Sequence, residues 1–359
     1  MRDRVVMPTN SPLDGLRVAF PSSIRERDER VLGSLVWGAA LDPEPHPLLL
    51  DGIPSPFPSM GGDSAFADEW VSSSACVSGR TAGVSWRTDG SWTLGHLDVS
   101  DATGLEEVTR LAYLSIFEAL RASGSPYLLR IWNFLPRINE HEGGSERYRQ
   151  FNIGRQNAFL EAGYDAFEGA PAACALGSFD SVLRIRFLAG SQPGLPIENP
   201  RQISAYRYSA AYGPRSPTFS RAVACDVGNG RVAFWLSGTA SIVGETTLHE
   251  GDILQQVDET LRNVQTVIDQ CNDRLCAGHF GWEDLSYVVY VRRPEDLQAV
   301  RARLEAALPP GCRAIREAVY VQADICRSNL LVEIEGHAIT AAQMAEHEAA
   351  IVHSLTDTD

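Results

Sequence analysis

The segment LSYVVYVRRPEDLQAVRARLEAAL (Leu285–Leu308), followed by AVYVQA (318–323) and LLVEIEG (330–336), decides how this chain reads. Leu285 to Arg293 is a short, nearly continuous apolar run rich in β-branched and aromatic residues, which is a central strand. Pro294 and Glu295 then open a helix that runs to Leu308. AVYVQA and LLVEIEG close the unit as two further strands. Upstream, RVAFWLSGTASI (231–242) reads as a strand ending in a glycine turn. Asp252 to Asp269 reads as a helix with Leu254, Val257, Leu261, Val264 and Val267 on one side.

The first half repeats this order. SWRTDGSWTLGHL (85–97) predicts two strands around an Asp-Gly turn. Leu105, Val108, Leu111, Ala112, Leu114, Ile116 and Leu120 keep a helical stripe up to a stop at Gly124. YLLRIWNFL (127–135) predicts a central strand, Ser145 caps a helix ending near Gly163, and SVLRIRFLA (181–189) closes the unit. Strands alternating with helices in two like units make an α/β protein of layered α+β type: a pseudo-repeat of mixed sheets with helices packed on one face. The expected division is an irregular, strand-rich segment over 1–85, units over 86–220 and 221–345, and an acidic tail over 346–359. Prolines 43, 45, 47, 54, 56 and 58 suit turns and edge segments, and an alanine-rich helix is expected from Ala341.

The 359 residues carry 31 basic and 46 acidic side chains, and every one of the 31 is arginine. A chain without lysine has no Schiff-base amine and no phosphate-loop lysine, so any anion must be met by guanidinium groups or backbone N–H groups. A net charge of −15 repels phosphate backbones, which argues against nucleic-acid partners. No apolar run is long enough to span a membrane. The first ten residues carry arginines but no apolar core, so no signal peptide is expected. The seven scattered cysteines form no CxxC pair, which suits a cytoplasmic protein with reduced thiols. No cofactor and no metal site are expected. Asn139 to Glu142 has a single histidine in a polar loop, and Cys271 and Cys276 suit neither zinc nor a redox pair.

Four separated segments carry a resemblance. RIWNFLPRIN (130–139), ERYRQFNIGRQNAF (146–159), AYGPRSPTFSRA (211–222) and DICRSNLLVEIEG (324–336) together resemble the chorismatases. The second half alone resembles the RidA/YjgF fold, which the trimeric chorismate mutase shares. The resemblance implies an enzyme that acts on chorismate with loss of pyruvate, and two RidA-like units in one chain imply a monomer. It carries substrate-binding roles to Tyr148, Arg155 and Arg215. Tyr208 and Tyr212, in the loop around Arg215, offer hydroxyls and ring faces, and Asn133 is expected to touch ligand from its central strand. Arginine forks suit a dianion such as chorismate, because each guanidinium meets a carboxylate bidentately.

Cleaving a vinyl ether needs a general acid that stays protonated near neutral pH. In LLVEIEG, Leu331, Glu333 and Glu335 share one strand face. Two like-facing glutamates raise the pKa of at least one if the face is a cleft. The resemblance assigns the proton donor to Glu333, while Glu335 better suits a solvated strand end. Within the resemblance, one branch hydrolyses chorismate to a dihydroxycyclohexadiene carboxylate and carries alanine at two positions. The other branch carries glycine and cysteine there and forms 3-hydroxybenzoate. Gly238 and Cys326 point to the second. Competing readings are the diol-forming enzyme, a RidA-like imine hydrolase and a non-catalytic binder.

Overall fold

The computed structural model describes residues 11–19, 29–38, 52–60, 66–102 and 104–345. Four strands come first: β1 (Leu13–Ala19), β2 (Val31–Gly38), β3 (Gly52–Pro58) and β4 (Phe66–Ser72). They form one sheet in the order β1-β4-β2-β3. Pro54, Pro56 and Pro58 lie on β3, an edge strand, where a missing N–H breaks no ladder. Prolines 43, 45 and 47 and the expected tail helix beyond 345 fall outside the described residues.

The first unit runs β5 (Val77–Thr81), β6 (Val84–Thr88), β7 (Trp92–Ser100), α1 (Leu105–Ser123) and β8 (Tyr127–Pro136). It continues through β9 (His141–Glu142), β10 (Ser145–Glu146), α2 (Arg147–Ala162), β11 (Ala172–Ser178) and β12 (Val182–Gly190). The second runs β13 (Leu195–Ile197), β14 (Ala222–Gly228), β15 (Arg231–Thr239), β16 (Ile242–Val243), β17 (Thr246–Thr247), α3 (Ile253–Asn272) and β18 (Leu275–Ala277). It ends with β19 (Ser286–Val291), α4 (Leu297–Ala307), α5 (Arg313–Glu317), β20 (Val319–Gln322), β21 (Asp324–Ile325), β22 (Val332–Ala341) and β23 (Gln343–Met344). The large sheets have the orders β21-β11-β8-β12-β7-β6-β5 and β13-β14-β15-β22-β19-β20. Apart from the added β21, they are the same topology: β8 pairs β11 in parallel as β19 pairs β20, and the other ladders are antiparallel. The layered pseudo-repeat is therefore the observed architecture.

Helices cover one face of each sheet. Ile116, Phe117, Phe151 and Phe159 pack on Ile131, Ile185 and Phe187, and Val257, Val264, Val300 and Leu304 pack on Phe234, Val289 and Ile334. The opposite faces meet each other and the four-stranded sheet in a third core with Trp37, Phe57, Trp70, Trp132, Trp235 and Tyr290. Trp37 and Phe57 each stand edge-on to both Phe134 and Tyr290, so the small sheet ties the two large ones together.

Four local readings change. Ser145 lies in β10 and the α2 N-cap is Glu146, although the stop at Gly163, with φ 74°, holds. Leu111 and Leu254 sit in the expected stripes but are exposed, because both lie at the edge of their helix's apolar face. Ala341 ends β22 rather than starting a helix, since its ladder to Arg231 continues the sheet. β11 went unpredicted because its small residues, AACALGS, lack the bulky pattern of a central strand. Gly154 shows why α2 packs so near α1: a Cβ there would lie 2.1 Å from the Glu106 carbonyl oxygen.

Candidate active site

Alternation along β22 sends Val332 and Ile334 to the helix side and Glu333 and Glu335 to the face between the large sheets. Both carboxyls are buried, at 4% and 3% exposure. Glu335 is therefore not at a solvated strand end. Arg130 Nη2 meets its Oε2 at 2.5 Å and Trp132 Nε1 donates to its Oε1 at 2.9 Å, both reaching over from β8 of the other sheet. Among the described residues Glu333 has no such partner. Burial, and then the charge of Glu335, raise its pKa to about 8, against the opposing pull of Arg130 and Arg292.

Cys326 Sγ stands 3.9 Å from Glu333 Oε2. Burial and the Glu333 charge push this thiol up to about 12, so it is a neutral thiol near pH 7. Gly238, on β15, backs the other carboxyl oxygen. These groups line a cavity with about 630 Å³ of space not filled by protein atoms, its open mouth included. Both units contribute: Tyr148 and Arg149 from α2 of the first, and from the second Tyr208 and Tyr212 of the loop between β13 and β14, with Arg221, Gly238, Cys326, Arg327 and Glu333.

Of the residues expected from the sequence, Tyr148, Tyr208, Tyr212, Gly238, Cys326 and Glu333 come together in the cavity wall. Arg155 and Asn133 do not reach it. Arg155 is 1% exposed, lies over the Phe151 ring and donates to Asn152 Oδ1 at 3.2 Å. Among the described residues its Nε has no hydrogen-bond partner. Its charge lies close enough to oppose the burial that raises the Tyr148 phenol. Asn133 is fully buried, accepting from Tyr113 Oη at 2.5 Å and donating to the Cys174 carbonyl at 2.8 Å. Arg215 is exposed on the connecting loop.

The wall cations are instead Arg149, Arg221 and Arg327. Arg221 Nη2 donates to the Ile203 carbonyl and to Tyr208 Oη. The Arg327 guanidinium lies 4.1 Å from the Tyr212 ring centroid and 5.4 Å from that of Tyr208. Arg221 and Arg327 were within reach of sequence reasoning, because both fall inside the quoted segments AYGPRSPTFSRA and DICRSNLLVEIEG. Arg221, just ahead of β14, shares its segment with the turn arginine Arg215, and spacing alone does not tell which of the two faces the cavity.

The chain matches the family model for the N-terminal domain of FkbO/Hyg5-like chorismatases over residues 68–189. It is 35% identical over 345 residues to a 3-hydroxybenzoate synthase of Streptomyces hygroscopicus, covering 92% of this chain and 98% of that one. This chain belongs to the chorismatase family. A chorismatase of the same organism is 34% identical over 87% of this chain and 90% of its own length. A crystal structure of a chorismatase superposes with a TM-score of 0.81 at 30% identity, covering 92% of this chain and all of that one. The chorismatase likeness extends through both units, since 345 aligned residues exceed either half. Among the described residues no helix is long and apolar enough to cross a membrane, and no group of three or more His, Cys, Asp or Glu side chains is arranged to hold a metal ion.

Proposed function

We propose that this chorismatase converts chorismate to 3-hydroxybenzoate and pyruvate, with Glu333 protonating the terminal methylene of the enolpyruvyl ether. The observation that carries the reading is the Glu333 carboxyl itself: buried in the cavity wall, paired with no cation among the described residues, and held protonated at neutral pH by burial and Glu335. Proton transfer to the methylene leaves an oxocarbenium ion; the neighbouring ring hydroxyl oxygen then attacks the ether-bearing carbon and gives up its proton as the ring–ether bond breaks and pyruvate departs, leaving an arene oxide. Opening of that epoxide at the carbon that first carried the hydroxyl, uptake of a proton by the oxygen and loss of the proton from the former ether-bearing carbon complete the 3-hydroxy aromatic acid. The two products together contain all the atoms of chorismate, so this route consumes no water, whereas the diol-forming route consumes one.

The product reading is supported by the name of the 35% identical relative and by Gly238 and Cys326 flanking the acid. A neutral thiol beside Glu333 excludes bulk and charge without acting as a thiolate nucleophile. For the substrate's two carboxylates we assign Arg327 and Arg221 in the wall, with Arg155 adding positive charge behind Tyr148. Tyr208 and Tyr212 hold these arginines, Asn133 acts one layer back through Tyr113, and Arg215 is left without a direct role. Because two units of one chain together line the cavity, we read the enzyme as a monomer, which light scattering checks. The seven free cysteines suit a cytoplasmic setting.

The test is pyruvate release from chorismate with chromatography of the products, for wild type and Glu333→Gln. The variant should lose at least about a hundredfold in rate. Equal rates would sink the acid assignment, and wild type releasing no pyruvate would sink the reaction.

A further inference from the structure

The segment that brings Cys326 and Arg327 to the cavity has little structure of its own. It joins β20 to β22, and its regular part is the two residues of β21, which pair with the edge strand β11 of the first unit through Leu176 to Ile325 and Gly177 to Asp324. One guanidinium holds the rest. Arg292, just past the end of β19, donates from Nε to the Leu330 carbonyl at 2.7 Å. Its Nη1 donates to Asp324 Oδ1 at 2.5 Å and to Asn139 Oδ1 at 3.1 Å. Its Nη2 donates to the Ile325 carbonyl at 3.1 Å and the Arg327 carbonyl at 2.9 Å. Those five bonds use all five N–H groups of the side chain.

The pattern differs from an ordinary ion pair. A pair with Asp324 alone would need two donors, yet three of the five bonds go to main-chain carbonyls of the segment. Two of these, on Ile325 and Arg327, flank Cys326 on either side. Asn139 closes the arrangement from the first unit, because its Nδ2 donates to the same Ile325 carbonyl at 3.0 Å while its Oδ1 receives Arg292. Arg292 and Asn139 lie outside the cavity wall, so neither touches the space a substrate fills.

We propose that Arg292, together with Asn139, is a positioning residue that sets where Cys326 and Arg327 stand in the cavity and thereby which product forms. The proposal rests on the reading of Cys326 as a product-determining residue. A lysine at 292 offers three N–H donors from a single point and cannot span these acceptors. Misplacing a wall residue by an ångström changes the fate of the cation more than its formation, which depends on Glu333.

The experiment compares pyruvate release and the ratio of aromatic to non-aromatic product for wild type, Arg292→Lys, Asn139→Ala, Cys326→Ala and the double variant Arg292→Lys/Cys326→Ala. Arg292→Lys and Asn139→Ala should keep kcat for pyruvate release within about tenfold of wild type while the aromatic fraction falls several-fold. The double variant should show the ratio of Cys326→Ala, because Arg292 acts on the product ratio through Cys326. An unchanged ratio in the variants, whatever their rates, overturns the proposal, and so do additive shifts in the double variant. If Arg292→Lys fails to fold, Asn139→Ala decides alone. Wild type forming no 3-hydroxybenzoate would instead overturn the product reading, a separate result visible in the control.

Discussion

The Glu333 carboxyl occupies the space that a side chain at position 238 would need: a Cβ built on Gly238 lies 1.9 Å from Glu333 Oε1 and 2.7 Å from its Cδ. The nearest atoms belong to the end of a flexible side chain, so alanine fits if the carboxyl moves. Gly238→Ala is therefore expected to displace the acid by about an ångström, slow pyruvate release by up to about a hundredfold, and raise the share of non-aromatic product. Chromatography of the reaction checks this, and an unaltered rate and ratio would count against the glycine's part in seating the acid.

The raised pKa of Glu333 gives kcat/KM a descending limb. Rate should hold below pH 8 and fall about tenfold per unit above it, as the acid loses its proton. The same shift enters stability. Because the folded state binds this proton more tightly than the unfolded chain, whose carboxyl titrates near 4.5, the contribution is full below pH 4.5 and is lost as pH rises through 8. Glu333→Gln should accordingly gain stability relative to wild type between pH 5 and pH 9, a trend that thermal unfolding at both pH values would reveal.

The Arg130–Glu335 pair joins the two sheets inside the shared core. Glu335→Gln leaves a buried guanidinium uncompensated and should cost about 3–5 kcal/mol in denaturant unfolding. Removing the like charge also moves the descending limb of the pH profile to lower pH. Arg130→Met combined with Glu335→Gln should recover part of the lost stability, and full additivity in that cycle would show that the pair is not coupled.

Arg327 and Arg215 separate the two ways of assigning the carboxylate contacts. Arg327→Ala removes a wall cation and its stacking on Tyr208 and Tyr212, and should raise KM for chorismate by about tenfold or more. Arg215→Ala, at an exposed loop position, should change KM by less than about twofold. Steady-state kinetics with the reverse ordering would restore the loop arginine to the site.

Cysteine labelling offers a last check. The Cys326 thiol, pushed up to about 12, should resist iodoacetamide at pH 8 while exposed Cys276 is alkylated. Pyruvate release from chorismate should survive this treatment, and rapid modification of Cys326 would contradict the raised pKa of its thiol.

Much of the site was legible in short segments. The period of two in LLVEIEG put both glutamates on one face, and the helical spacing in ERYRQFNIGRQNAF put Tyr148 and Arg155 on one side of α2. The α2 helix also shows the limit: its buried face carries Asn152, Arg155 and Gln156, so no apolar stripe announces which side is inside. Asn133 was misjudged for a related reason, since an amide on a central strand reads alike whether it meets a ligand or, as here, Tyr113.

By itself the sequence determined the two-unit order of strands and helices, the shared face of Glu333 and Glu335, and the company of Gly238 and Cys326 in the quoted segments. These are local properties, carried by periodicity and by contiguous residues. Only the tertiary structure decided that Glu335 is paired with Arg130 while Glu333 is left unpaired, that Arg221 and Arg327 rather than Arg215 face the cavity, and that Arg292 holds the segment bearing Cys326. Arg130 and Glu335 lie 205 residues apart. Contacts across such separations are set by how two sheets pack face to face, and no spacing along the chain encodes which side chains then meet.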